Sequence, residues 1–410
     1  MKYFMPDWDD RIDPGFNFVT DEFTSNRDIE TNDVYAHEVF ASPPYDGLLV
    51  SRGVVERGKA RNEIISQNGI HACFRVPRTF PVLGDCGAFS YLDDPYPRYE
   101  TGDVLDYYSQ IGVNLGVSVD HLVFDTMEPA ERIRRKTITL ENARRFIEGH
   151  RAKNCHFTPV GAAQGWSPDS YADSVWRLLD WGYRYIAIGG LARSSAKDIL
   201  AVLEEVSHAV RDFKTVRGVA QIDLHLLGVA KVDYAREFRA LGVTSLDSAS
   251  HLRKAWLRSG QNYWTISGQW YTAIRVPQSS NLKVQQYISQ NGRTMPAVIR
   301  KEKKILHMLR EYDQGLLRES RLDSLLDDLL DYDDYLLRAG DDGQEMRNKT
   351  VSREKYRRTL VDKPWKECQC EVCKSASIQV MIFRGTNRNK RRGFHNVWVF
   401  YQRLQKMLAE

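Results

Sequence analysis

Up to about residue 257 the chain alternates between two kinds of segment, and this alternation constrains the fold more than any other feature. Short apolar, β-branched runs at 47–51, 70–76, 81–85, 119–125, 157–163, 184–189, 222–227 and 243–247 read as strands. Helical patterns at 104–111, 140–151, 171–181, 196–213 and 234–241 lie between several of them. Strands joined through helices must run parallel, because a tight hairpin cannot connect parallel neighbours. Eight such strands predict an α/β fold, a closed (β/α)8 TIM barrel. Periodicity by itself also fits an open, doubly wound sheet.

The pattern then changes. From Arg300 to Gly340 two helical patterns follow each other. The first starts basic, with Arg300, Lys301, Lys303 and Lys304, and carries Ile305, Met308, Leu309 and Tyr312. The second repeats Leu322, Leu325, Leu326, Leu329 and Leu330 at helical spacing, opposite an acidic face of Asp323, Asp327, Asp328 and Asp331. The expected organisation is therefore an N-terminal segment at 1–45 that packs on the barrel, a catalytic barrel at 46–290, a helical insertion at 291–362, and a metal-binding module with a final helix at 363–410.

That module is read from Cys368, Cys370 and Cys373, followed by His395 twenty-two positions after the last cysteine. Three thiolates and an imidazole complete a tetrahedral Zn2+ shell and leave no open position, so the expected zinc is structural rather than catalytic. Three of the six cysteines within six residues point to metal rather than to disulfides. Arg384, Arg388, Lys390, Arg391 and Arg392 fall between the last cysteine and the histidine. A loop there could hold phosphates. A net charge of +4 is too small to establish a nucleic-acid partner, but permits one if the charge is clustered. No apolar run approaches a membrane span, and the acidic, proline-broken start is not a secretory signal, so a cytoplasmic protein is expected.

Catalytic groups of such barrels stand at the carboxyl ends of the strands. Those ends offer Asp85, Asp125, Gln164, Gly189 with Gly190, Gly228, and Asp247. A lone aspartate there is commonly a helix cap. Carboxylates converging on one mouth suit glycosidic chemistry, in which one attacks or stabilises C1′ and another manages protons. Glycines let a flat ligand approach the backbone.

These residues resemble a known family. Asp85-Cys86-Gly87-Ala88-Phe89 is similar to the Asp-Ser-Gly-Gly-Phe motif of tRNA-guanine transglycosylases, and Phe124-Asp125 to their Phe-Asp-Glu. Ala163-Gln164-Gly165 resembles their Val-Gln-Gly-Gly, and Gly189-Gly190-Leu191-Ala192 their Gly-Gly-Leu-Ala. Leu246-Asp247-Ser248 resembles their Phe-Asp-Cys nucleophile motif, with Arg253 at a similar distance beyond it. The cysteines and His395 match the zinc set. The departures are also specific. His251-Leu252-Arg253-Lys254-Ala255-Trp256 replaces the anticodon-reading arginine pattern, Ser195 replaces the glutamate that closes the glycine-rich segment, and Thr126 and Met127 stand where bacterial members have Glu-Cys. A span of 121 positions separates Asp247 from Cys368, more than in bacterial tRNA enzymes. The opening Phe4-Met5-Pro6-Asp7-Trp8 resembles the DNA-acting, DpdA-type branch.

The resemblance implies that Asp247 attacks C1′ and expels guanine, and that Asp85 then takes the N9 proton of an incoming free 7-deazaguanine. Asp125 would hold the purine N1–H and 2-amino group. Gln164 and the Gly190 amide, flanked by Gly189 and Leu191, would hold O6. Arg253, Arg388, Lys390, Arg391 and Arg392 would hold DNA phosphates, and a helper protein could open the duplex. The absence of a glutamate at Ser195, with Arg193 nearby, favours the neutral 7-cyano base preQ0 over the cationic aminomethyl base. A tRNA substrate is the near alternative. A non-catalytic partner subunit is a second, opposed by the presence of both Asp85 and Asp247. An unrelated glycoside hydrolase is a third, for which the metal module has no use.

Overall fold

A computed structural model of the chain describes residues 1–257, 260–290, 294–337 and 349–410. It divides into two compact units: residues 1–9, 45–249 and 403–410 form the first, and residues 10–44 and 250–402 the second.

The first unit is a closed, all-parallel barrel of eight strands. In order they are β1 (Lys2–Pro6), β2 (Gly47–Ser51), β3 (Val82–Asp85), β4 (Leu115–Val117), β5 (Thr158–Ala163), β6 (Tyr185–Ile188), β7 (Asp223–Leu226) and β8 (Val243–Asp247). β1 closes the ring by pairing with both β2 and β8, with Phe4 opposite Asp247. The interior is filled by Phe4, Leu49, Leu83, Val117, Val160, Ala162 and Ala187, so the barrel is a packed core rather than a pore. Around it run α1 (Thr101–Ile111), α2 (Pro129–Ala152), α3 (Pro168–Asp180) and α4 (Ala196–Arg217). Their ends obey local chemistry. Ser167 and Pro168 start α3 with a capping box, and Gly112 and Gly218 end α1 and α4 in the left-handed conformation.

Eight strands were expected and eight are present, but two of the expected runs differ. The 70–76 run is a single helical turn at Ile70–Cys73, and the strand that completes the barrel is Lys2–Pro6, from the segment expected only to pack on it. The 119–125 run is not a strand either. Val119, Leu122 and Val123 are buried, yet the ladder of that region is Leu115–Val117. Apolar patterning reports burial, and here buried chain continues past the hydrogen-bonded strand. Gly116 hid β4 in the sequence. A Cβ there would stand 2.7 Å from both the Tyr108 and Phe157 rings, so close aromatic packing requires glycine in mid-strand.

The second unit contains β9 (Tyr263–Trp264) paired with β10 (Trp270–Tyr271), and β11 (Ile274–Arg275) paired with β12 (Ile382–Phe383). Its helices include α5 (Met295–Asp313), α6 (Leu322–Leu337), α7 (Lys349–Asp362) and α8 (Glu371–Ala376). α9 (Gly385–Ala409) begins in this unit and ends in the first. The leucine repeat of α6 is buried as its spacing requires, and α6 packs against α5 and α7. Its acidic face is neutralised: Asp323 and Asp327 pair with Arg353, and Asp328 with Lys301 and Lys304. Asp313, at the end of α5, accepts hydrogen bonds from Trp365 and Ser377, tying the insertion to the cysteine-bearing segment.

Candidate active site and metal centre

The carboxyl mouth of the barrel collects acids. Asp85 ends β3, where one carboxylate oxygen accepts the Gly87 amide proton at 2.8 Å. Burial, joined by the negative fields of Asp120 and Asp247, pushes its pKa up to about 7, against the opposing pull of the Gly87 amide. A carboxyl poised there accepts or returns a proton near neutrality. Asp120, three residues beyond β4, is buried, and burial raises its pKa while Gln164 and Cys86 stabilise its anion. The Gln164 amide donates to Asp120 at 2.7 Å, and the Cys86 thiol stands 3.4 Å from its other oxygen.

Gln164, just past β5, also fits against the glycine pair after β6. A Cβ on Gly189 would come within 2.3 Å of the Gln164 amide nitrogen. Gly190 has φ +81°, and a Cβ there would meet the Tyr171 hydroxyl at 2.8 Å and the Val123 carbonyl at 2.9 Å. The Gly190 position therefore demands glycine, and a side chain at Gly189 would have to push the Gln164 amide aside. Tyr171 pins the turn by donating to the Gly189 carbonyl at 2.8 Å. Leu191, next in line, is buried. Backbone, the Gln164 amide and the Asp120 carboxylate thus lie side by side at the strand ends.

Asp247 ends β8, nearly buried. Its Oδ1 accepts from the Gly228 amide at 3.0 Å and contacts His225 Nε2 at 3.0 Å. The expected Asp85, Gln164, Gly189, Gly190, Leu191 and Asp247 thus all belong to this mouth. Asp125 differs: it is exposed on a turn, beyond the buried run that carries Asp120. Sequence reasoning missed Asp120 and His225. The available signals were Asp120 directly after Ser118-Val119 at the true end of the fourth strand, and a histidine at an inward position of the seventh.

In the second unit Cys368, Cys370, Cys373 and His395 bring their ligand atoms within 4.8 Å of one another. The sulfurs lie 3.5, 3.4 and 3.4 Å from His395 Nδ1. Metal–sulfur and metal–nitrogen bonds of about 2.3 and 2.0 Å in a tetrahedron give edges of about 3.5 Å, so the set fits one ion. His395 Nε2 donates to the Trp264 carbonyl at 2.7 Å, which leaves Nδ1 as the lone-pair donor. The Tyr263 ring stacks on the imidazole at 3.9 Å.

The expected phosphate-binding arginines are not on a loop. They lie on α9, and Arg388, Arg391 and Arg392 are buried. Arg388 binds Asp21, the Phe18 carbonyl and Gln379; Arg391 binds the Asp13 carbonyl and Asn387; Arg392 binds the Ala255, Val380 and Ile382 carbonyls. Their guanidinium groups are consumed inside the unit, which corrects the expectation for these three. Arg253 is exposed and Lys390 partly so. Ser195, whose hydroxyl accepts from the Asp198 amide, is the N-cap of α4, and Arg193 is exposed with its guanidinium over the Phe124 ring.

The first unit is a parallel barrel with acids clustered at its mouth, and the second carries a Cys3His ion site. No family model matches the chain. A curated relative from Salmonella montevideo, named DNA-guanine transglycosylase, is 38% identical over 427 aligned positions that span 100% of this chain and 98% of the relative. The chain belongs to the guanine transglycosylase family and is a pentosyltransferase enzyme. None of its described helices is long and apolar enough to cross a membrane.

Proposed function

We propose that this enzyme exchanges guanine in DNA for a free 7-deazaguanine through a covalent intermediate on Asp247. The observation that carries the reading is the grouping of three acids at one mouth with different surroundings: Asp247 held by donors, Asp120 bound to Gln164, and Asp85 raised to about 7. Asp247 attacks C1′ and the C1′–N9 bond breaks as guanine leaves with a proton from Asp85 on N9, forming an ester between Asp247 and the sugar. Free 7-deazaguanine enters the mouth, Asp85 takes its N9 proton, and N9 attacks C1′ while the ester bond breaks. Two displacements retain the configuration at C1′.

Asp120, rather than the exposed Asp125, is the carboxylate that reads the purine N1–H and 2-amino group. Gln164 and the Gly190 amide read O6. The target base must leave the helix stack to reach the mouth, at a cost of about a few kcal/mol in a duplex. A helper protein that opens the duplex fits this requirement. DNA is preferred over tRNA because the family's anticodon-reading arginines are replaced at 251–256, and because the relative carries DNA in its name. Arg253 and Lys390 remain the basic residues for its phosphates. The ion of the Cys3His site is zinc in a structural role.

The incoming base is preQ0. The motivation is the replacement of the family's glutamate by Ser195, whose hydroxyl donates to Asp198 at 2.7 Å, so that the acid there is already hydrogen-bonded at the start of α4. The deciding experiment incubates the enzyme with DNA or tRNA and labelled 7-cyano or 7-aminomethyl deazaguanine. Label is expected in DNA from the cyano base. Label in tRNA alone overturns the substrate, and equal use of the aminomethyl base overturns the choice of base.

A further inference from the structure

A line of hydrogen bonds runs from the barrel interior to Asp247. Tyr185 Oη lies 2.6 Å from Ser245 Oγ, Ser245 Oγ lies 2.8 Å from His225 Nδ1, and His225 Nε2 lies 3.0 Å from Asp247 Oδ1. His225 and Ser245 are buried, with the Phe4 ring edge-on to the imidazole at 5.7 Å. An ionised carboxylate only accepts, so Nε2 must donate to it. In a neutral imidazole Nδ1 then accepts from the Ser245 hydroxyl, whose oxygen is left to accept from Tyr185. Burial raises the Tyr185 pKa and keeps that phenol a donor.

The backbone is shaped for this line. Along β7 and β8, Leu224 pairs with Val243 but His225 pairs with Ser245, so β8 carries one extra residue, Thr244. Without that bulge His225 would face the register of Thr244, whose side chain points away from Ser245 and Asp247. The bulge puts His225, Ser245 and Asp247 on one inward face.

We infer that His225, held by Ser245 and Tyr185, is a positioning residue that fixes Asp247 so that Oδ2 attacks C1′. Oδ1 takes both the His225 and Gly228 donors, which leaves Oδ2 as the oxygen to form the C1′–O bond. When the ester forms, Oδ1 becomes its carbonyl oxygen and the same donors hold it. When the incoming base breaks the C1′–O bond, they stabilise the returning carboxylate. No proton moves along the line at any step. This inference rests on Asp247 as the nucleophile.

The test follows exchange of radiolabelled guanine into DNA and tRNA by the full-length enzyme. Misplacement of a reacting group by about 1 Å costs about 10²-fold, so His225→Phe is expected to lower kcat by about that factor with little change in KM for free guanine. His225→Gln retains a donor of similar reach and is expected to recover most of the loss. Ser245→Ala, which frees the ring to change tautomer, is expected to give a smaller loss in kcat. Wild-type kcat in His225→Phe, or a defect confined to KM, overturns the inference. So does a His225→Gln variant as poor as His225→Phe. If His225→Phe does not fold, Ser245→Ala decides, and an unchanged kcat there overturns the inference. Asp247→Asn is measured alongside. Activity in that variant sinks the nucleophile itself, whereas an inactive Asp247→Asn with an active His225→Phe sinks only the positioning role.

Discussion

The second unit and the mouth of the barrel handle buried charge in opposite ways. In the second unit buried arginines are matched: Arg384 pairs with Asp21 and Glu302, Arg388 with Asp21, and Arg392 is wrapped by backbone carbonyls. Burial pulls Arg392 down to about 9, still charged at neutrality. At the barrel mouth like charges are gathered instead, and Asp85 is raised by its own burial and by the neighbouring Asp120 and Asp247. Opposite charges brought together maintain a structure. Like charges brought together leave a group ready to exchange a proton or a bond, and that is where chemistry is found.

The largest effect should come from removing the acid proposed to attack. Asp247→Asn is expected to lower exchange by about 10⁴-fold or more while the thermal melting of the protein is nearly unchanged. A variant that loses folding and activity together would place Asp247 with the structural charges, and erase the contrast. In the second unit the order should reverse. Cys370→Ser is expected to release the ion, measured by elemental analysis as about one zinc per chain in the native protein and far less in the variant, with stability lost before chemistry. An intact melting curve after ion loss would contradict a structural role.

A milder break is Asp21→Ala, which leaves Arg384 and Arg388 short of a shared carboxylate. Removing one member of a buried pair costs about 3–5 kcal/mol, read by chemical denaturation, and the fraction that remains folded should exchange bases at the native rate. The smallest effect concerns pH. With Asp85 raised to about 7, its basic form is lost below that value, so the base-dependent step should fall about tenfold per unit below pH 7 and be flat above it. The linked stability has the opposite sense. A carboxyl raised on folding binds more protons in the native state, so its contribution favours folding at low pH and is lost as pH rises from about 4 to about 7. Asp85→Asn should abolish both trends, and a limb near 4 in the rate profile would return Asp85 to an ordinary carboxylate.

Much of this was legible beforehand because strand-end residues and metal ligands are local features. Asp85, Gln164, Gly189, Gly190 and Asp247 each follow directly on a short apolar run, and Cys368, Cys370 and Cys373 announce themselves by spacing. What escaped depended on pairing between distant segments. Lys2–Pro6 is a strand only because β2 and β8 flank it. Asp120 stayed hidden because buried chain after β4 carries the same apolar pattern as a strand, which puts Asp125 at the apparent strand end. Arg388 and Arg391 could not be read because their partners Asp13, Phe18 and Asp21 lie more than 360 positions away in the chain.

The closure of the barrel through β1 also dictates an order of events during synthesis. β1 is made first, yet one of its edges stays without a partner until β8 emerges some 240 residues later, with Phe4 waiting for Asp247. Contacts of such sequence separation form late, after the loop entropy of the intervening chain has been overcome. The nascent chain therefore makes the other strands of its barrel before Asp247, the proposed nucleophile, reaches its place. A ribosome stalled anywhere short of residue 247 holds a chain with an open strand edge and without the acid proposed to attack.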